Sequence, residues 1–340
     1  MLWNTPEVKQ LNSERVRREI QRNPKCTKAQ VARATELSVA TCNTIFNELL
    51  ASGEIRVVDQ EEAAMGRPAI RFEYNEDDHH VLGVIVSLID NAETIDYIVG
   101  NALGETIKQG QVSCKAIDYK QIEQVIADCI AEDDLIRGIT IGIPGVTANG
   151  IVERCDIDGI VGEPLEKKLE KKFGIDVMVR NDMDIMSYGV YQSDFEKQGD
   201  LCAVFFPPKG IAYVGAGMII DGKILTGATQ FSGEIRYIAE AFGMTTEQMK
   251  KDSKNEKKLT EFAVKMLVIL ISTIDPEKIV VMGDCFEEKD ALKLRNGCAQ
   301  IVGESHVPSV EIVREVLDKY TCGLIRLALN HRDFPLLESI

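Results

Sequence analysis

"GIAYVGAGMIIDGKILTG", residues 210–227, is the stretch on which the fold turns. Gly215-Ala216-Gly217 leads into an apolar strand, a tight Asp221-Gly222 turn and a second strand. A hairpin of this kind can lay backbone N–H groups against a phosphate. The residues just before Gly215 are Ile211, Ala212, Tyr213 and Val214, bulky or apolar where a phosphate needs close backbone approach. The segment reads as a phosphate turn whose front half has been overwritten.

Working outward, strands and helices alternate. "HVLGVIVSLI" (80–89), "TIDYIVGNAL" (94–103) and "TIKQGQVSC" (106–114) are strand-like runs with turns between them. A helix is expected at 119–132. A buried strand follows, "IRGITIGIPG" (136–145), then a helix over 163–173 with an exposed row of Glu and Lys. The strand "IDVMVRND" (175–182), a helix over 183–193 and the strand "LCAVFFP" (201–207) lead into the opening hairpin. Beyond it the chain is mostly helical over 245–273, with a strand "KIVVMGD" (278–284) and helices near 287–302 and 317–330. Three strands, helix, strand, helix, strand, helix, approximately repeated, describes a duplicated α/β domain with a cleft between two lobes.

The first 75 residues differ in kind. Residues 13–24 read as a helix ended by Pro24. Thr27 with Gln30 is a capping box that opens a short second helix. Ser38 is a good N-cap for a third, in which Cys42, Ile45, Phe46, Leu49 and Leu50 form one apolar stripe. The opposite face carries Thr41, Asn43, Thr44 and Asn47, small polar side chains suited to base edges and phosphates. Two helices joined by a short turn, the second with a polar outer face, make a helix-turn-helix. "EIRVVDQ" and "AIRFEYN" then flank "EEAAMGRP", a hairpin wing whose stiff tip carries Arg67 and could reach a minor groove. The expected boundary falls at residue 75, with a DNA-binding head over 1–75 and a two-lobed body over 76–340.

Charge supports this division. The chain carries a net −15, but residues 1–75 hold 11 Lys and Arg against 10 Asp and Glu. Arg15, Arg17, Arg18, Arg22, Lys25, Lys28 and Arg33 crowd one short segment that can face phosphates, while the acidic body faces solvent. No apolar run reaches 18 residues and the N-terminus lacks an apolar core, so neither a membrane span nor a secretory signal is expected. Nine scattered cysteines form no CxxC-type motif and no disulfide framework, which implies small buried hydrophobes in a reducing cytoplasm.

The chain resembles the ROK family (repressors, open reading frames and kinases) over essentially its whole length. The resemblance rests on "LN" at 11–12, the helix-turn-helix, "GRP" at 66–68, "GIPG" at 142–145, "ND" at 181–182, "GAG" at 215–217 and "GEI" at 233–235, in that order. It implies a winged helix-turn-helix followed by an actin-like, sugar-kinase (ribonuclease H-like) ATPase-type fold, with the cleft near 180–240. In the family's kinases the first strand pair carries an Asp-x-Gly-x-Thr turn; here Ile85 and Ser87 stand where the Asp and Gly would be. An Ile cannot hold hydrated Mg²⁺. The family's second turn, Gly-Thr-Gly-x-Gly-Ala-Gly, reads Ile211 to Gly217 here, with two glycines and the Thr gone. Both losses oppose phosphoryl transfer.

By the same resemblance Asp182 holds the position of the kinases' catalytic base, now a vestigial one, and Asn181 and Glu234 match sugar-contacting positions, beside Gly145. Carboxylates and amides suit vicinal diols because each can bridge two hydroxyls. The family's His, three residues after the Glu, is Tyr237 here, and residues 238–260 contain neither Cys nor His, so no His–Cys₃ zinc site is expected. The expected function is a regulator, a repressor of carbohydrate metabolism. It would bind an operator in double-stranded DNA as a homodimer or dimer of dimers and sense a sugar or sugar derivative, with no ATP or metal. The alternatives are an ATP-dependent sugar kinase with an added head and a ligand-independent regulator with a vestigial pocket.

Overall fold

The computed structural model describes residues 5–61, 69–89, 92–148, 150–193, 199–209 and 214–333. The head comprises α1 (Thr5–Arg22), β1 (Cys26–Thr27), α2 (Lys28–Thr35), α3 (Val39–Ser52), β2 (Ile55–Glu61) and β3 (Ala69–Tyr74). α1 begins eight residues earlier than the charge pattern suggests, so Leu11-Asn12 lies inside it rather than before it. The Thr27–Gln30 capping box opens α2, and the Ser38 hydroxyl accepts the Thr41 N–H to open α3. Gly53, in the left-handed region, ends α3. β1 pairs with β3, which pairs with β2, so the wing is a three-stranded sheet. Val16, Ile20, Val31, Ile45, Phe46, Leu49 and Phe72 make the core of the head.

The first lobe contains β4 (His80–Ile89), β5 (Ala92–Asn101), β6 (Thr106–Cys114), α4 (Tyr119–Glu132), β7 (Ile136–Ile143), a hairpin of β8 (Gly145–Ala148) and β9 (Ile151–Cys155), α5 (Leu165–Phe173), β10 (Asp176–Asn181) and α6 (Asp182–Ser193). The second contains β11 (Leu201–Phe205), β12 (Gly215–Ile220), β13 (Lys223–Ile224), α7 (Arg236–Ala241), α8 (Thr246–Ser253), α9 (Glu256–Ile274), β14 (Lys278–Met282), α10 (Ala291–Val302), β15 (Ser309–Val313) and α11 (Val316–Asp333). The sheets run β6-β5-β4-β7-β10 and β13-β12-β11-β14-β15. Each is third-second-first-fourth-fifth in its own chain order, with the first three strands antiparallel and the last two added in parallel. The duplication expected from the sequence is therefore present down to strand order. The β8–β9 hairpin and β15 were not anticipated; both are short, and β15 sits at a sheet edge.

The period-two pattern of β4 explains its double burial. Leu82, Val84 and Val86 face the outer core under α4 and α5, while Val81 and Ile85 face a second core shared with the other lobe. That shared core is built on α6 and α11. α6 closes the first lobe yet packs on β11 and β12 of the second; α11 closes the second yet packs on β4 and β7 of the first. The two helices touch where each has a glycine: a Cβ on Gly189 would collide with the Lys319 carbonyl, and one on Gly323 with the Ile185 carbonyl. Gly217 of the opening hairpin is constrained in the same way by Met183 and Ser187 of α6. All nine cysteines are free, and among the described residues no helix is long and apolar enough to cross a membrane.

Candidate ligand cleft and nucleic-acid interface

The outer face of α3 presents Asn43, Thr44 and Asn47 to solvent, with Thr41 partly covered. The Thr44 hydroxyl donates to the Ala40 carbonyl and the Thr41 hydroxyl shares a hydrogen bond with Ser38, so the two asparagines carry most of the readable polarity. Lys28 lies over the rings of Phe46 and Phe72 and donates to Asn47 Oδ1 at 3.2 Å. An ammonium has only protons to give, so this bond turns the Asn47 Nδ2 outward. Lys28, expected to meet DNA directly, thus also orients Asn47. Arg17 is engaged with Glu54. Arg67 and the wing tip lie outside the described residues.

At the carboxyl ends of β7 and β10, where ligands of open α/β sheets gather, the expected cleft residues come together. Asn181 Nδ2 donates to the Gly145 carbonyl at 2.8 Å, and its Oδ1 accepts the Met183 N–H at 2.7 Å. Asn181 therefore pins the start of α6 to the β8–β9 hairpin, with one lone pair of its Oδ1 engaged. A Cβ on Gly145 would strike the Arg154 carbonyl across that hairpin. Asp182, the first residue of α6, is partly exposed as a residue while its carboxyl is densely surrounded by protein. Burial pushes its carboxyl up to about 7; the Met183 N–H opposes this, and Glu234, Asp156 and Asp184 add to it. Asp184 is also pushed up to about 7, by burial first, with Arg180 opposing and Glu234 adding. Glu234 is raised by burial and held back by Arg236 and Arg154.

Tyr237 closes the far side. Arg154 Nη1 from β9 and Arg236 Nη2 both donate to its hydroxyl oxygen, at 2.7 and 2.8 Å. The phenol proton is left to point elsewhere. Phe231 stacks beside the ring, centroids 5.2 Å apart. Thr147 donates to Gln230 Oε1 at 3.0 Å, a second bridge between the lobes, from a residue held at φ 57°. The cleft thus offers acceptors at Asp182 and Glu234 and donors at Arg154, Arg236 and Tyr237, the mixture a polyol needs. Arg154, Asp156 and Asp184 escaped the sequence reading. The run "ERCD" just beyond "GIPG" was the available sign, since charges crowded into a short hairpin next to a cleft have little structural use.

Ile85 is buried in the shared core, level with Gly142 on one side and Asp96 on the other. Of the second turn, Ile211, Ala212 and Tyr213 lie outside the described residues, while Val214 is buried in the core of the second lobe.

These features define a DNA-binding head joined to a two-lobed, sugar-kinase-like body. Residues 91–244 match the ROK family and residues 15–56 the winged helix-turn-helix DNA-binding family. The chain carries a ROK-family domain behind a winged helix-turn-helix. It is 23% identical over 301 residues to a putative xylose repressor of Caldicellulosiruptor sp., covering 85% of this chain and 74% of that protein. It is 25% identical over 250 residues to the DNA-binding transcriptional dual regulator NagC of Escherichia coli, covering 70% of this chain and 59% of that one. A ROK family transcriptional regulator, described as a homologue of the E. coli MLC protein, shares the fold at a TM-score of 0.70 and 17% identity, over 98% of this chain and 99% of its own.

Proposed function

We propose that this chain is a transcriptional repressor that binds operator DNA through α3 and the wing and responds to a sugar held between Asp182, Glu234, Arg154 and Tyr237. The observation that carries this reading is the union of a winged helix-turn-helix head with a cleft that gathers the carboxylates of Asp182 and Glu234, at the family's sugar-contacting positions, while Ile85 stands where a metal-binding Asp would serve a kinase. The repressor relatives support it. Phosphoryl transfer is lost, and neither ATP nor zinc is needed. The active form is a dimer, since one winged helix covers too few base pairs for a specific operator. The ligand changes DNA affinity by preferring one arrangement of the lobes.

The test is binding of the full chain to DNA from upstream of its own gene, in low salt, with and without xylose, glucose and N-acetylglucosamine. Specific binding weakened by one of these sugars is expected. No DNA binding in low salt overturns the reading; binding that no sugar alters favours the vestigial pocket; ATP-dependent sugar phosphorylation abolished by Asp182→Asn would establish the kinase.

A further inference from the structure

Tyr320, in the second turn of α11, belongs to no motif, and its hydroxyl is buried with no hydrogen-bond partner among the described residues. A buried polar group left unmade is costly and calls for an explanation. Its position supplies one. The hydroxyl stands over Gly142, where a Cβ would strike it, and Ile185 of α6 reaches the same spot. Asp182 lies three residues before Ile185 on α6, and residues three apart share a helix face. One turn beyond Tyr320, Gly323 rests on the Ile185 carbonyl. The Tyr320 oxygen and the Asp182 carboxyl therefore approach the same corner of the cleft, from two helices that cross between the lobes. Burial, followed by the Asp182 charge, raises the Tyr320 hydroxyl well above its ordinary range, so at neutral pH it keeps its proton and is a donor.

We propose that Tyr320 is a ligand-contacting residue: its hydroxyl donates to one hydroxyl of the bound polyol, which donates in turn to Asp182. This rests on the reading of the cleft as a sugar site. A phenol paired with a carboxylate needs a group that both accepts and donates, and an alcohol does so with a single oxygen. A deoxy position would leave both protein groups unmatched. In the arrangement described, the Tyr320 oxygen is shut off from solvent, so contact requires the lobes to shift about α6 and α11.

The same helix leads to the head. α11 passes along β4 and β5, with Leu324 against Gly83, Ile325 against Gly100 and Arg326 against Gly104. Gly100 and Gly104 flank the β5–β6 turn, whose Ala102 is buried in the core of the head. Farther along, Arg332 acts on Asp78 in the linker, whose carboxyl is held low first by the hydrogen bond from His79 and also by Arg332 and Arg17. Movement of Tyr320 with the ligand thus bears on the helix that lies against the β5–β6 turn, through which Ala102 enters the core of the head.

The experiment is Tyr320→Phe in the full chain, with Asp182→Asn beside it. Sugar affinity is measured by calorimetry and DNA release by anisotropy, using xylose, glucose, N-acetylglucosamine and the mono-deoxy analogues of whichever binds. Tyr320→Phe should be at least as stable as the parent without ligand, because an unpaired hydroxyl is removed. Its affinity for the parent sugar should fall about tenfold, the size of one hydrogen bond. That fall should vanish for one deoxy analogue, and sugar-driven DNA release should weaken in step. Unchanged affinity in Tyr320→Phe, with binding abolished in Asp182→Asn, overturns this assignment and leaves the sensor reading standing. If the unaltered chain tolerates deoxygenation at every position, the assignment also falls, whatever the variant's folding. Failure of all three sugars to bind overturns both.

Discussion

Asp182→Asn should stabilise the protein while destroying its response to sugar. The Asp182 carboxyl is pushed from its ordinary 3.8 to about 7, chiefly by burial. A carboxyl raised in this way binds a proton in the folded chain that the unfolded chain has released between pH 4 and 7. Its contribution is therefore most favourable below about pH 4 and is lost as pH rises through about 7. A shift of about three units corresponds to about 4 kcal/mol. Residual solvent contact screens the charge, so about 2 kcal/mol is the realistic share at pH 7.5. Asn has nearly the same volume and carries no charge to desolvate. For a body of this length, 2 kcal/mol amounts to roughly 4 °C in melting temperature. The assay is thermal unfolding of parent and variant from pH 5 to pH 8. The variant should gain most at pH 8 and least at pH 5, with sugar-induced stabilisation absent throughout. Asp184 rises in parallel and retains its own pH dependence in both proteins, so only the difference between them is diagnostic. A variant less stable than its parent at pH 8, or a difference that does not change with pH, would refute the reasoning.

Four further outcomes are expected. Gly189→Ala places a methyl group against the Lys319 carbonyl, and α6 and α11 must separate; the loss should be about 1–3 kcal/mol in urea denaturation, and a neutral substitution would contradict the helix crossing. Asn43→Ala and Asn47→Ala should each weaken operator binding by roughly 1–3 kcal/mol, with little change in binding to random DNA or in the salt dependence. Lys28→Met should resemble Asn47→Ala if the lysine acts by orienting that amide, and should flatten the salt dependence instead if it acts on phosphate. Tyr237→Phe removes the oxygen that Arg154 and Arg236 share, so it should lower both stability, by about 1 kcal/mol, and sugar affinity, the opposite sign of stability change from Asp182→Asn.

Much of this fold was legible because it repeats a few strong local signals. The third helix announced itself through Ser38, its apolar stripe and Gly53, all of which the structure uses. The helix expected at about 119–132 is present over Tyr119–Glu132, where Asp118 and Gln121 form a capping box and Ile122, Val125, Ile126 and Cys129 make a buried face at helical spacing. The start of α1 was missed because its first turns, around Glu7 and Lys9, carry no apolar face strong enough to separate helix from tail. The single span over 245–273 resolves into α8 and α9, broken at Lys254-Asn255, where Asn255 caps the new helix through the Lys258 N–H. That Asn was visible in the sequence, but amid so many lysines the break carried no hydrophobic signature. Asp182 and Glu234 could be placed by motif; Arg154 and Arg236 could not, since only the approach of β9 to α7 makes them neighbours.

The least legible part is the one on which sensing depends. α6 and α11 are separated by more than a hundred residues, and nothing local marks either as belonging to the other's lobe. The local signs are a glycine in each helix, a residue that costs helix stability and so asks for a reason, and in α6 a run buried on every side from Met183 to Val190. The reason is mutual: each glycine admits the backbone of the other helix, and Gly217 of the hairpin admits α6 in the same way. Gly217 thus has a packing role of its own, which needs no phosphate. The crossing helices join the lobes, beside the Arg154–Tyr237 and Thr147–Gln230 bridges. A ligand gripping Asp182 at the head of α6 acts directly on that crossing. Helix α11 continues from it along β4 to the turn that holds Ala102 in the head, so a shift at the cleft has a rigid element on which to reach DNA.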